Sequence, residues 1–234
     1  NSLIFIIILF SATYIKPCKR DEPDLKACVK QHAIAAIPYL LKGDKEYKIP
    51  SMVPLHIPLI SLSPSDNLSI KMNNIVLRGL ETAEVRDIDF DLKKKHVHAK
   101  LAFKKIDLAG EYEMNGRILV VPIQGKGPAS IVSENFLVDY SFDYNLVKKG
   151  DGKEYIDNDI RPVTTYVAEK NHYQFDNLFN GDKLLGDRIN EFLNEHQVEL
   201  HEDLKGSLSE VINSIVTTIV KSMLSTVPFD EVFV

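Results

Sequence analysis

Sequence motifs for catalysis are missing from this chain. It has no Gly-x-Ser-x-Gly elbow, no His-Glu-x-x-His pair, no Walker loop and no dinucleotide fingerprint. Those motifs hold a nucleophile, a metal or a phosphate at fixed spacing, so the chain reads as a non-enzyme with no cofactor. An excess of basic charge is also lacking. Lys and Arg number 28 against 33 Asp and Glu, the net charge is -5, and the two signs are intermixed. A phosphate backbone would be repelled on average, so nucleic acid is not an expected partner. No run approaches the roughly 20 apolar residues that a bilayer-spanning helix needs, which argues against stable membrane insertion. Internal repeats and low-complexity stretches are absent. Cysteine is scarce, with only Cys18 and Cys28.

What is present begins with an unbroken apolar run, Leu3 to Phe10, followed by Ser11-Ala12-Thr13. This matches the apolar core and cleavage zone of a secretory signal. Residues 1–13 are therefore read as a truncated signal peptide and residues 14–234 as a single domain of a secreted, extracellular protein. In that setting a close cysteine pair reads as a disulfide, Cys18 to Cys28. Asn67-Leu68-Ser69 is a glycosylation sequon, with Asn67 as acceptor.

Strict alternation dominates the middle of the chain. Apolar residues fall on every second position in Ile88-Phe90-Leu92, Val97-Ala99-Leu101-Phe103, Leu108-Gly110-Tyr112-Met114 and Phe136-Val138-Tyr140-Phe142-Tyr144-Leu146. Period two puts those side chains on one face of each strand. Asn115-Gly116 predicts a hairpin turn leading into Ile118 and Val120. Gly150-Asp151-Gly152 predicts another turn, setting the Phe136–Leu146 strand against one through Val163–Val167. Leu68, Ile70 and Met72, then Ile75 and Leu77, change parity near Asn73-Asn74, which predicts a bulge. Pro50, Pro54, Pro58 and Pro64 predict an edge strand or a crossing connection.

Two regions carry helical periodicity. Glu22-Pro23-Asp24 predicts a helix start, with Pro38 as a kink or end and Gly43 as the outer limit. From Asp182, a plausible N-cap by residue type, one apolar stripe runs through Leu184-Leu185, Ile189, Phe192-Leu193, Leu200, Leu204, Leu208, Ile212, Ile215 and Leu224. Unbroken, about 42 residues would span roughly 60 Å, and Gly206-Ser207 is the expected place for a bend.

The fold class is thus α+β. A large one-faced antiparallel sheet must cover its apolar side, and the C-terminal helix is the element available. Such a body encloses an elongated apolar interior, which suggests a container for a small hydrophobic molecule. The competing reading is a module with a filled core that acts through a protein or membrane partner. His96 and His98 share a strand face, but it is the polar one, and Asp87, Asp89 and Asp91 alternate with apolar residues in the same manner. Asp157-Asn158-Asp159 lacks the glycine and distal glutamate of a calcium loop. No metal site is expected.

The order of Cys18, Asp21-Glu22-Pro23-Asp24, Cys28-Val29, Pro38-Tyr39-Leu40-Leu41-Lys42-Gly43, Ile49-Pro50 and Pro54-Leu55-His56-Ile57-Pro58 resembles the insect takeout and juvenile-hormone-binding protein family. Asn74, Ile75, Gly79 and Leu80 continue the likeness, as do Asn177 to Asp182, Phe192-Leu193-Asn194-Glu195 and Pro228-Phe229. The juvenile-hormone-binding branch carries a second disulfide, for which this chain has no cysteines left, and the family's usual acid before Pro54 is replaced by Val53, so the resemblance is nearer to the takeout branch. The resemblance implies a highly curved antiparallel sheet wrapped round a long C-terminal helix, in the TULIP-like manner, with a hydrophobic tunnel for an isoprenoid, juvenile-hormone-like or fatty lipid. The expected tunnel wall comprises Phe90, Leu92, Val97, Leu101, Phe103, Leu108, Tyr112, Met114 and Val120 from the first strands. Phe136, Val138, Tyr140, Phe142 and Tyr144 follow, with Leu185, Ile189, Phe192, Ile212 and Ile215 from the helix. Among these, the hydroxyls of Tyr112, Tyr140 or Tyr144 would orient a polar ligand head.

Overall fold

The computed structural model describes residues 13–45 and 47–234. The signal-like run before residue 13 lies outside the described residues. The first helix, α1 (Leu25–Lys42), starts at Asp24, whose carboxylate accepts the Ala27 N–H at 3.0 Å. Pro38 neither ends nor bounds it, because the helix runs on to Lys42 and stops at Gly43, which has φ 84°. Cys18 and Cys28 are joined as a disulfide with Cα atoms 6.1 Å apart. That bond ties the N-terminal arm to the first turns of α1. The same arm pairs with the C-terminal residues, since Cys18 N–H donates to the Val232 carbonyl at 2.9 Å.

Two strands of 23 residues form the spine, β4 (His96–Ile118) and β5 (Val121–Asp143). Around them lie β1 (Leu55–Ser65), β2 (Leu68–Arg78), β3 (Glu84–Asp91), β8 (Val163–Val167) and β9 (Lys170–Phe175), completing a seven-stranded antiparallel sheet. One half of the spine pairs with β2 and β9, and the other with β3 and β8. Pro58 and Pro64 lie in β1, at the sheet edge, where a missing N–H costs no ladder bond. The parity change near Asn73-Asn74 is a bulge, with Asn74 at φ 51° and a register shift against β4. A second reversal of parity occurs in β4 and β5 together. Inward residues are Val97 and Phe103, then Ile106, Tyr112 and Met114 on β4; they are Ile123 and Ala129, then Val138, Tyr140 and Phe142 on β5. Phe103 still faces Phe136 and Lys105 still faces Glu134, so the register is unchanged across this line. Asn135 takes a positive φ of 49° there.

The expected Asn115-Gly116 turn is corrected by the structure. Both residues lie within β4, and the chain reverses at Leu119-Val120. Gly116 serves a close approach instead. A Cβ there would overlap the Asn67 carbonyl, and that same carbonyl accepts the Arg117 N–H at 3.0 Å. Gly150–Gly152 does turn the chain, but it joins two short strands of a separate hairpin, β6 (Leu146–Lys148) and β7 (Glu154–Ile156). β5 pairs with β8, as the sequence led one to expect.

The C-terminal stripe folds as α2 (Lys183–Glu195), α3 (Gln197–Thr226) and a single turn, α4 (Phe229–Val232). Asp182 caps α2 by accepting the Leu185 N–H at 3.0 Å. Replacing it with alanine is expected to lower stability by about 1 kcal/mol, readable as a reduced midpoint in urea. The break falls at His196 (φ -103°, ψ 29°), not at Gly206, which stays helical inside α3. The cause lies in what each helix packs against. α2 is bonded to the edge of β9, while α3 runs across β1 and β8, so the axis must change between them. Gly206 costs about 1 kcal/mol relative to alanine, too little to break a helix packed along one side.

Candidate binding cavity

Between the concave sheet face and α3 the structure holds a cavity of about 250 Å³. That is close to the lower edge of the roughly 300–1,000 Å³ typical of small-ligand sites. α3 lines it from Leu200 to Ile219, about 28 Å at 1.5 Å per residue. Ile70, Met72, Met114 and Ile118 bound it towards the β1–β2 turn; Leu55, Leu77 and Ile215 bound it farther along. No Lys, Arg, Asp or Glu stands among its described lining residues.

Seven of the expected wall residues do line this space: Phe103, Leu108, Met114, Phe136, Val138, Ile212 and Ile215. Others pack elsewhere. Val97, Tyr140, Phe142 and Tyr144 form a solid cluster with Phe229 and Phe233, against which Phe90 and Leu92 pack. Tyr112, Ile189 and Phe192 belong to the cluster that closes the other end, under α2. Leu101 packs behind Phe103 and Val138. Val120 and Leu185 are corrected outright: Val120 sits at the β4–β5 turn with 77% of its surface exposed, and Leu185 on the outside of α2 with 41% exposed. Period two assigns a residue to the inner face, but it does not distinguish the hollow part of that face from its packed ends.

The three tyrosines expected to orient a ligand are occupied or remote. Tyr112 donates to the Asp176 carbonyl at 2.8 Å, and burial pushes its hydroxyl up to about 12. Tyr140 shares a 3.3 Å hydrogen bond with Thr217. Tyr144 packs on Phe229, in the cluster away from the cavity. The polar groups of the wall are instead Ser133, Asn171, Tyr166, Tyr173 and His201, which the sequence reading missed. Ser133 donates to Asn171 at 2.7 Å. Tyr166 is 95% buried by its 5% exposure, and its hydroxyl has no hydrogen-bond partner. The only sequence signal for these groups was that Val163–Val167 reads as a strand.

One side of the cavity depends on an unusual edge contact. Asn190 on α2 bonds both backbone groups of Phe175, accepting its N–H and donating to its carbonyl, each at 2.9 Å. Asn194 treats Tyr173 identically at 2.8 Å, and the Gln197 side chain accepts the Asn171 N–H at 2.6 Å. Four residues of helix rise about 6 Å, close to two residues of strand. The amides therefore climb β9 in step and close its free edge. Their recurrence at Asn190, Asn194 and Gln197 beside an apolar stripe is the trace they leave in the sequence.

On the solvent side, His96 bonds Asp143 at 2.7 Å and His98 bonds Asp139 at 2.9 Å. Those partners place the two histidines among surface ion pairs. Cys18, Cys28 and His32 lie together, with His32 Nδ1 3.4 Å from Cys18 Sγ. Both sulfurs are spent in the disulfide, so the cluster offers a metal one nitrogen. Asn67 is exposed in the β1–β2 turn. No described helix is long and apolar enough to cross a membrane.

An antiparallel sheet curved along a long C-terminal helix, with an apolar cavity between them, defines the TULIP-like class of fold. Within it, the chain belongs to the haemolymph juvenile hormone binding protein (JHBP) family, whose model matches residues 3–234. The crystal structure of Takeout 1 from Epiphyas postvittana superposes with a TM-score of 0.83 at 23% identity, covering 94% of this chain and 99% of that one. Among curated proteins, the circadian clock-controlled protein daywake of Drosophila yakuba is 21% identical over 238 residues, covering 95% of this chain and 89% of its own. Daywake of Drosophila melanogaster is 22% identical with the same coverage.

Proposed function

We propose that this protein is a secreted carrier that holds a small hydrophobic molecule, an isoprenoid, juvenile-hormone-like or fatty lipid, in the cavity between sheet and α3. The observation that carries the reading is an unfilled interior whose wall is almost wholly apolar. A void of that kind forfeits dispersion contacts along its lining, and an apolar guest restores them. Burial of about fifteen carbons gives roughly 12 kcal/mol gross at about 0.8 per CH₂. Association costs of about 4–15 kcal/mol come off that sum, which leaves at most about 8 kcal/mol, a micromolar Kd. Selectivity would rest on length and shape. Secretion is supported by the signal-like run at residues 3–10 and by the disulfide. The alternative of a filled-core interaction module fits the hollow interior poorly.

Native mass spectrometry of protein secreted from insect cells tests the carrier reading. A co-purified lipid mass that organic solvent removes is expected. A bare protein that also fails to quench or displace N-phenylnaphthylamine would sink it.

A further inference from the structure

We infer that the cavity selects lipids carrying one uncharged oxygen function, an alcohol, ketone or ester, which hydrogen-bonds the Tyr166 hydroxyl beside His201. This rests on the carrier reading and adds the chemistry of the guest's head. The observation behind it is an incomplete account of hydrogen bonds. Tyr166 is the one described residue with a buried side-chain polar atom that has no partner. Buried hydroxyls are almost always paired, and one left alone is costly. Its surroundings offer no internal remedy. The ring meets His201 edge to face with centroids 5.1 Å apart, and Phe136 at 5.6 Å. Ser133 and Asn171, the polar pair elsewhere in the lining, are engaged with each other.

The patch is polar without being charged. Burial lowers the affinity of His201 for a proton, which favours its neutral form, and burial pushes Tyr173 up to about 12. No Lys or Arg stands among the described lining residues, and the negative charge near Tyr166 comes from Glu202. Lys205 is half exposed and paired with Glu202 at 3.4 Å. A carboxylate guest would enter with no counter-charge in the wall. A neutral oxygen needs none, and a phenol can either donate to it or accept from it.

The experiment compares one hydrocarbon chain with four ends: dodecane, lauryl alcohol, methyl laurate and laurate. Each competes with N-phenylnaphthylamine at neutral pH, on the full-length protein and on Tyr166→Phe. In the unsubstituted protein the alcohol and ester are expected to bind about tenfold tighter than dodecane, the worth of one buried hydrogen bond, and tighter than laurate. Tyr166→Phe is expected to erase the advantage over dodecane while leaving dodecane affinity intact. Its unfolding temperature should not fall, since phenylalanine keeps the ring and removes only the orphaned hydroxyl. Laurate binding best, or the phenylalanine variant keeping the original ratio, would overturn the inference while leaving a carrier in place. The ligand series on the unsubstituted protein decides the first point without any variant. Failure of all four compounds to displace the probe would overturn the carrier reading and this inference with it.

Discussion

Val211→Trp should abolish lipid-probe binding without unfolding the protein. Val211 projects from α3 into the wall of the cavity. An indole there adds several heavy atoms to a space of about 250 Å³. In a filled core, that overpacking would cost about 1–3 kcal/mol through shifted backbone and forced rotamers. In a void it finds room and gains contacts. The expected result is a loss of more than about tenfold in probe affinity, equivalent to about 1.4 kcal/mol, with an unfolding temperature equal to or above the original. Leu184→Trp is the control, because Leu184 is 74% exposed on α2 and should leave both quantities unchanged. Fluorescence titration and thermal unfolding on the same samples check it. A lower unfolding temperature with intact probe binding would mean that α3 packs solidly at this position and that the guest sits elsewhere.

Asn190→Ala should be among the most destabilising single substitutions at the contact between α2 and β9. The side chain is 8% exposed and completes both the N–H and the C=O of Phe175. Alanine leaves those two backbone groups facing a helix that cannot supply a donor or an acceptor. Each orphaned group costs about 1–3 kcal/mol, so a total near 4 kcal/mol is expected. For a chain of this size that is a fall of roughly 8–16 °C in unfolding temperature. Asn190→Asp keeps the acceptor for the Phe175 N–H but loses the donor to its carbonyl, and it buries a charge. It should be no better than alanine at neutral pH. Asn194→Ala should cost less, because that residue is only partly buried. Denaturant melts of the three variants would rank them. A near-neutral Asn190→Ala would show that water replaces the amide without penalty. Should α2 detach, the free edge of β9 would become a template for another strand, so concentration-dependent aggregation is the expected companion of the loss.

The sheet and the cavity are legible in the sequence to different degrees. Alternation along Val97–Phe103, Leu108–Met114 and Phe136–Leu146 was enough to place a one-faced antiparallel sheet, and the stripe from Leu184 to Leu224 was enough to place a helix over it. The Asn73-Asn74 bulge and the Asp182 cap were also readable, since both are local chemistry. Long-range matters were not. Asn115-Gly116 has the composition of a hairpin turn, yet its glycine answers to a carbonyl some fifty residues away in sequence, at Asn67. Phe142 and Tyr144 share parity with Phe136 and Val138, yet they pack against the C-terminal turn because that end of the sheet is plugged. The helix break at His196 follows from the change of packing partner, from β9 under α2 to β1 and β8 under α3, which no local pattern announces. The unpaired hydroxyl of Tyr166 is likewise a fact about neighbours in space.

The synchronous parity reversal in the two spine strands constrains how their lengths can change. Alternation tolerates no odd slip, because a one-residue shift sends every following side chain to the opposite face. An indel confined to β4 near Lys104 would put the greasy set of one half into water and its lysines and acids into the interior. A matching indel in β5 near Asn135 would restore the pairing register, and only an even number of residues changed in both strands would also keep every side chain on its face. Natural drift and engineering alike should therefore alter this hairpin only by paired changes across the Phe103–Phe136 line, like two sides of a zip.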